Sequence, residues 1–211
     1  MDTISQTRLD EFAAAGRKAS TLGLMRCSSG NLSWRIDDNR ALLTASRSWM
    51  AELTADQVVV CRIADGTVLG DGTPSAESRF HLGLLRARPD VNVVLHFQSP
   101  CATVLGCTAC EQVNFNVIPE VPYYIGPIAV VPYIAPGSDE LAQAVVVAMA
   151  GHDMAILRNH GQVTVGQTLA DAIQRAAFFE LACEVIVRGG DAVERLSDES
   201  IVRLRVASGR I

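Results

Sequence analysis

Lysine is nearly absent from this sequence: Lys18 is the single lysine, so arginine carries almost all of the positive charge. Acidic residues outnumber basic ones, and the formal net charge is −5. This balance argues against a nucleic-acid-binding protein, which usually presents a basic face. Hydrophobic residues make up 49% of the chain and charged residues 19%, which is typical of a folded globular protein and not of a disordered one.

Long hydrophobic runs are also lacking. No run approaches the ~18 apolar residues that a membrane-spanning helix needs. The first ten residues are polar and contain no apolar signal core. We therefore expect no membrane partner and a cytoplasmic location, and the 211 residues suit one domain over positions 1–211.

A second Cys-x-x-Cys pair is missing, which argues against a zinc knuckle built around Cys107 and Cys110. The six cysteines are scattered through apolar segments, a pattern that indicates reduced cytoplasmic thiols. We interpret Cys107 and Cys110 as buried small side chains, with a redox pair as the alternative.

Apolar periodicity and turn residues predict the secondary structure. Helices are expected at 4–22, 74–87, 100–105, 138–150, 169–187 and 198–207, with Ser75 and Ser138 as N-caps. Strands are expected at 32–36, 41–44, 58–63, 67–69, 91–95, 115–118, 129–131, 154–157 and 162–165, and a short connecting turn at 53–57. Tight hairpins join several strand pairs, whereas parallel neighbours need long crossovers. The predicted fold is α/β or α+β, with a mainly antiparallel sheet covered by helices.

A strand-borne histidine is the first candidate for chemistry. The β-branched run 91–95 leads into His96, Phe97 and Gln98 and stops at Pro100. Side chains alternate faces along a strand, so His96 and Gln98 point the same way, roughly 6–7 Å apart along the chain. A structural histidine beside a surface glutamine is the alternative for this fragment alone.

Other polar groups cluster at the predicted ends of elements. Each has a structural alternative as a turn or a helix cap. Taken together, His96, Gln98, His160 and Glu77 offer nitrogen and oxygen ligands that suit zinc or another divalent metal. Hydroxyl and amide groups in a second set suit a bound anion: Gly30, Asn31, Ser46 and Ser75.

Four sequence pieces, in this order and spacing, resemble the class II aldolase/adducin family. They are Ser29–Ser33, Pro74–Glu77 followed by Arg79-Phe80-His81, Arg88–His96, and Leu157–Val163, and the likeness covers roughly residues 5–190. The resemblance implies a three-layer class II aldolase-like domain with a central, mainly antiparallel sheet flanked by helices. It also implies a homotetramer whose active sites lie where subunits meet.

The resemblance further implies roles for individual residues. His96 and His160 would be metal ligands, and Glu77 would be both a ligand and the catalytic acid/base. Gln98 stands where the family has a histidine. Phosphate-binding positions fall on Gly30, Asn31, Ser46, Arg47, Ser75 and Ala76. Tyr123 or Tyr124 falls near a family tyrosine that reaches a neighbouring site.

The implied reaction is reversible aldol cleavage of a ketose 1-phosphate, such as L-fuculose 1-phosphate. The products would be dihydroxyacetone phosphate and an aldehyde, formed through a metal-stabilised enediolate. Alternatives within the family are a pentulose-phosphate 4-epimerase, a dehydratase, a decarboxylase and a non-catalytic adducin-like scaffold. The epimerases usually carry Asp in place of Glu77, and retention of Glu77, His96 and His160 favours an enzyme over a scaffold.

Three departures from the family pattern bear on metal and substrate. Gln98 offers an amide oxygen, a weaker donor for Zn²⁺ than imidazole, so Mn²⁺, Co²⁺ or Mg²⁺ becomes a candidate. Arg47 replaces a small residue, usually glycine, and Ala76 replaces a hydroxyl residue. We expect a rebuilt anion pocket, in which Arg47 either clamps a carboxylate or phosphate or faces away from the pocket.

Overall fold

A computed structural model describes residues 4–210, and residues 1–3 and 211 lie outside the described residues. The described chain forms six α-helices and one seven-stranded sheet. The helices are α1 (Gln6–Thr21), α2 (Ser78–Ala87), α3 (Pro100–Gly106), α4 (Asp139–Ala148), α5 (Leu169–Gly189) and α6 (Asp198–Ala207). The strands are β1 (Asn31–Arg35), β2 (Arg40–Thr44), β3 (Val58–Arg62), β4 (Val93–Phe97), β5 (Ile128–Val131), β6 (Met154–Leu157) and β7 (Gly161–Gly166).

The strand order is β3-β2-β1-β4-β7-β6-β5. The β5–β6 pair is parallel, and the other five pairs are antiparallel. The prediction of a mainly antiparallel sheet is confirmed. Strand β4 lies at the centre, where His96 is opposite Asn31 of β1 on one side and Val163 of β7 on the other.

Helices cover both faces of the sheet and give three layers, as the resemblance implies. Leu95 and Phe97 of β4 join the apolar cluster under α1, α3 and α5, whereas Val94 joins the cluster under α2 and α4. All five residues of β4 are buried, because both faces of this central strand are covered. His96, two positions after Val94, therefore faces the α2 layer.

Ser138 caps α4 as predicted, and its side chain accepts a hydrogen bond from the Leu141 amide. The prediction of Ser75 as the N-cap of α2 is wrong, since the helix begins at Ser78 and Glu77 occupies the N-cap position. The Ser75 amide donates instead to the Thr44 carbonyl, which ties residues 73–75 to the end of β2. This pairing delays the helix by one turn.

Two predicted strands are wrong. Residues 67–69 form only an isolated bridge between Val68 and Cys61. Residues 115–118 form no strand: the Asn114 side chain accepts from the Asn116 amide, and this turn interrupts the extended run. Residues 50–57 contain two short 3₁₀ helices where one turn was expected.

The six cysteines have free thiols. Cys110 is buried as expected, but Cys107 is exposed, so that half of the prediction is wrong. Between residues 4 and 210, no helix is both long and apolar enough to cross a membrane.

Candidate active site

The end of β4 and the β6–β7 turn bring two histidines together. His96 and His160 have ring centroids 4.9 Å apart. The turn is tight because Asn159 adopts a left-handed conformation, φ 55°, which asparagine tolerates. Gly161 has no room for a side chain, since an added Cβ would lie 2.7 Å from the Phe97 carbonyl and 3.0 Å from His96 Cε1.

Glu77, at the start of α2, places its carboxylate between the two rings. Its Oε2 lies 3.3 Å from His96 Nε2, and its Oε1 lies 3.2 Å from His160 Nε2. One ligand atom from each of the three residues lies within 4.8 Å of the others. Glu77 and His96 are buried, and His160 is nearly so. Within residues 4–210, these are the His, Cys, Asp or Glu side chains whose ligand atoms lie close enough together to hold a metal ion.

The hydrogen bonds of the cluster leave room for a cation. His96 Nδ1 donates to the Gln162 carbonyl, 2.9 Å away, so Nε2 is the ring nitrogen that faces Glu77 and can offer a lone pair to a cation. His96 Nε2 and Glu77 Oε1 are buried and have no hydrogen-bond partner among the described residues. Buried polar atoms normally find partners, so electron-rich atoms facing each other fit a shared divalent cation.

The electrostatics favour the same protonation states. Burial acts to raise the pKa of Glu77, but the charge of His96, the hydrogen bond from Asn31 and the charge of His160 outweigh it and lower that pKa. Burial, reinforced by repulsion from His96, lowers the pKa of His160 to about 4. At neutral pH the site therefore presents a carboxylate and a neutral His160 imidazole, which are the ligand forms of both groups.

Gln98 lies immediately beyond β4. Its backbone amide donates to the Leu24 carbonyl, and its Cγ lies 2.7 Å from the Cβ position that a side chain at Gly161 would occupy. Because His96 crowds the same point, the two side chains lie on the same side of the chain, as strand alternation predicts. Within residues 4–210 the Gln98 side-chain amide makes no hydrogen bond. It is free to serve as a ligand.

Two further side chains anchor the segment after β4. The Gln162 Oε1 atom accepts from the Ser99 amide. Glu180 of α5 accepts from the Ser99 hydroxyl at 2.6 Å and from the Ala102 amide at 2.9 Å. These bonds hold the turn that carries Gln98 against α5.

Asn31, His81 and Ser33, which lie in the family motifs but had no predicted role beside Glu77, form a hydrogen-bonded group around it. Asn31 Nδ2 donates to Glu77 Oε2, His81 Nε2 contacts Asn31 Oδ1, and Ser33 Oγ contacts His81 Nδ1. Glu77 and His81 are four residues apart, a spacing that places side chains on one helix face and that points to their proximity.

The predicted anion-binding residues lie on two loops beside this cluster. Ser46 and Thr73 join the loops through a backbone hydrogen bond, and Ala45 pairs with Pro74. Ser46 and Ala76 are exposed, and Ser75 is half-buried with its Oγ accepting from the Glu77 amide. Asn31, at the start of β1, contacts Glu77, and Gly30 precedes Asn31 in the chain.

Gly30 and Arg47 both adopt left-handed backbone conformations. Gly30 has φ 80°, and an added Cβ would lie 2.9 Å from the His96 carbonyl, so a close approach of the backbone requires glycine here. Arg47 has φ 63° and is exposed. In the described part of the chain, its guanidinium makes no hydrogen bond or ion pair.

Tyr123 and Tyr124 lie at the opposite end of the sheet. Arg210 donates to the Tyr123 carbonyl and also pairs with Asp153, at the start of β6. His160 follows the end of β6, roughly 10 Å further along that strand. The Tyr124 ring stacks on Phe178 at 5.2 Å. Neither tyrosine is brought to the His96 cluster of its own chain.

Comparisons with known proteins give the family. The sequence profile of the class II aldolase and adducin N-terminal domain matches residues 10–187. The 3-oxo-tetronate 4-phosphate decarboxylase of Haemophilus influenzae is 30% identical, over 88% of this chain and 90% of that protein. The 5-methylthioribulose-1-phosphate/5-deoxyribulose-1-phosphate aldolase of Rhodospirillum rubrum is 34% identical, over 81% and 76%.

Among solved structures, an L-fuculose 1-phosphate aldolase superposes with a TM-score of 0.86 at 25% identity, covering 97% of both chains. The family that the motifs resemble is thus confirmed, together with the α/β fold. The named relatives are lyases of more than one kind. This chain belongs to the class II aldolase and adducin family.

Proposed function

We propose that this chain is a divalent-metal-dependent carbon–carbon lyase that performs aldol cleavage of a phosphorylated ketose, L-fuculose 1-phosphate or a related compound. The buried cluster of Glu77, His96 and His160 carries this proposal, because it combines ligand geometry with unpartnered polar atoms. We take Zn²⁺ as the metal, with Mn²⁺, Co²⁺ or Mg²⁺ as alternatives if Gln98 is the fourth ligand. When bound, the ion would supply Lewis-acid polarisation of the substrate carbonyl.

Glu77 would move the proton. Asn31 occupies its Oε2, so Oε1 is the oxygen left to carry a proton. In the cleavage direction the distal hydroxyl would pass its proton to the Glu77 carboxylate, the carbon–carbon bond would break, and that hydroxyl carbon would become an aldehyde. The electron pair stays on the carbon beside the carbonyl, and Glu77 returns a proton there.

The substrate phosphate would lie on the loops that hold Gly30, Ser46, Ser75 and Ala76. The Arg47 guanidinium, unpaired and next to Ser46, would bind a second anionic group or the phosphate itself. This contact would compensate for the hydroxyl that Ala76 lacks.

Tyr123 would act on the site of a second copy. Its place at the far end of β6 keeps it from its own His160, so its participation requires a neighbouring subunit. We therefore propose a homotetramer with sites at subunit contacts, and one domain over positions 1–211. Free thiols in all six cysteines suit a cytoplasmic location, which we also propose.

A decarboxylase is the second candidate, and Arg47 favours it. A carboxylate on a 3-oxo acid phosphate would pair with that guanidinium. The bond to the carboxyl carbon would break, carbon dioxide would leave, and the carbon that retains the electron pair would take a proton that Glu77 first accepts from water and then delivers. The curated decarboxylase relative acts on such an acid, as its name states.

One set of measurements separates these outcomes. The purified protein is analysed for bound metal, and then assayed with ketose 1-phosphates and with 3-oxo acid phosphates. Release of dihydroxyacetone phosphate supports the aldolase, whereas release of carbon dioxide replaces it with the decarboxylase. A protein that neither contains nor takes up Zn²⁺, Mn²⁺, Co²⁺ or Mg²⁺ would overturn both.

A further inference from the structure

Buried hydrogen bonds connect Ser33 to Glu77 through two intervening side chains. Ser33 Oγ lies 2.8 Å from His81 Nδ1, His81 Nε2 contacts Asn31 Oδ1, and Asn31 Nδ2 lies 3.0 Å from Glu77 Oε2. None of the four residues is more than 8% exposed. Water therefore cannot readily replace a missing hydrogen-bond partner, and each polar atom needs a partner within the protein.

One assignment of hydrogens satisfies every member of this chain. An ionised Glu77 only accepts, so Asn31 must turn its amide NH₂ toward Glu77 and its oxygen toward His81. His81 must then carry its hydrogen on Nε2, and the Nδ1 of a neutral ring accepts from the Ser33 hydroxyl. Burial lowers the pKa of His81 to about 3, which is consistent with a neutral ring at pH 7.

The amide of Asn31 needs this support because its two ends have nearly the same shape. Packing alone hardly distinguishes the oxygen from the NH₂ group. A flipped Asn31 would set its oxygen against the carboxylate and leave Glu77 Oε2 without a donor. His81 discriminates between the two orientations, since a ring N–H pairs only with the oxygen.

We propose that His81 is a positioning residue: through Asn31 it fixes the Glu77 carboxylate so that Oε1 faces His160 and the metal position. The consequence for metal binding rests on the proposed function, whereas the orientation of Asn31 does not. The alternative is that His81 only fills the core, where its ring stacks on Phe80 at a centroid distance of 4.7 Å.

The first test reads the hydrogen position on His81. Nitrogen NMR of protein labelled with ¹⁵N-histidine, recorded at neutral pH without added metal, reports the tautomer of each ring. The chain has four histidines, and the His81→Gln variant identifies the signals of His81. We expect the Nε2–H tautomer, and an Nδ1–H tautomer would overturn the proposal.

The second test measures Zn²⁺ affinity by competition with a chelator. His81→Phe keeps the ring and removes both nitrogens, and we expect it to weaken Zn²⁺ binding about tenfold or more. His81→Gln can still donate to Asn31 and should recover most of the affinity. Ser33→Ala should weaken binding less than His81→Phe does.

Leu84→Val is the matched structural control. Leu84 is fully buried on the same helix and takes no part in the hydrogen-bond chain, so its variant should lower Tm and leave Zn²⁺ affinity unchanged. If His81→Phe binds Zn²⁺ with wild-type affinity, His81 is only a core residue. The same conclusion follows if Leu84→Val loses Zn²⁺ affinity in proportion to its fall in Tm. If the wild type binds Mn²⁺, Co²⁺ or Mg²⁺ in place of Zn²⁺, the same competition is run with that metal; if it binds none of the four, the proposed function fails, and the tautomer alone decides the role of His81.

Discussion

Asn31 and Glu77 are 46 residues apart in the chain, and the Asn31 side-chain amide donates a 3.0 Å hydrogen bond to Glu77 Oε2. The antiparallel pairing of β1 with β4 creates this contact, because it sets Asn31 opposite His96. Helix α2 supplies Glu77 from the layer above. The bond offsets part of the cost of burying a carboxylate, and it leaves Oε1 free for chemistry.

Replacing Glu77 with Gln should abolish turnover. The amide keeps the size of the side chain but cannot take up and deliver a proton, so we expect kcat to fall by at least about 10²-fold. Circular dichroism and light scattering should show the wild-type fold and oligomer. A Glu77→Gln variant with full activity would remove Glu77 from the proton-transfer step.

Replacing His96 with Ala should weaken Zn²⁺ binding by more than about tenfold, the effect seen even for residues that only support a ligand. Gln98→His should tighten binding, because imidazole is the better donor for zinc. Elemental analysis and chelator competition measure both. His152→Ala is the control: His152 lies next to Asp153, before β6, at the far end of the sheet, so its loss should leave affinity unchanged.

Replacing Arg47 with Gly should stabilise the fold but weaken substrate binding. A side chain at φ 63° strains the backbone, so Arg47→Gly should raise the free energy of unfolding by about 0.5–1 kcal/mol after the entropy cost of glycine. Loss of the guanidinium should raise KM. Urea unfolding and steady-state kinetics give the two values.

Arg47→Lys separates charge from backbone strain. Lysine keeps both the strain and one positive charge, so stability should stay near that of the wild type and KM should rise less than in Arg47→Gly. An unchanged KM in Arg47→Gly would show that the guanidinium faces away from substrate.

Mixing two defective variants should restore activity if Tyr123 serves a neighbouring subunit. Glu77→Gln chains retain Tyr123, and Tyr123→Phe chains retain Glu77. In randomly mixed oligomers about a quarter of the sites would combine both intact residues. Separately purified variants, unfolded together and refolded, should recover activity above their average, and no recovery would exclude Tyr123 from the site of a neighbouring subunit.

His81 and His160, whose pKa values are both lowered, should make the stability of the protein fall with acid, and the share of His81 can be measured. The pKa of His81 is lowered to about 3 in the folded chain from an ordinary value of 6.5, so between these pH values the unfolded chain binds a proton that the folded chain does not. Stability is therefore lost as pH falls below 6.5, by up to about 1.4 kcal/mol per pH unit. His81→Gln should show a shallower slope in urea unfolding from pH 7 to 5, and an equal slope would contradict the assignment.

Local signals in the sequence were sufficient for most elements. Apolar periodicity located all six helices, and the alternation of β4 correctly placed His96 and Gln98 on one side of the chain. Errors occurred where another hydrogen-bond partner competes with the periodic pattern. The Ser75 amide bonds the Thr44 carbonyl of β2. At 115–118 the competing partner is local, because the Asn114 side chain accepts from the Asn116 amide.

The sequence by itself determined the helices and the polar residues at the ends of strands, because apolar periodicity is a pattern that extends over only a few positions. It also determined the family, through motifs in a fixed order. Only the tertiary structure decided the distances that join Glu77 to both histidines, the direct hydrogen bond from Asn31 to Glu77 with His81 on the other end of the Asn31 amide, and the place of Tyr123 at the other end of the sheet. These relations depend on the order in which distant strands pair, and no short segment contains that information.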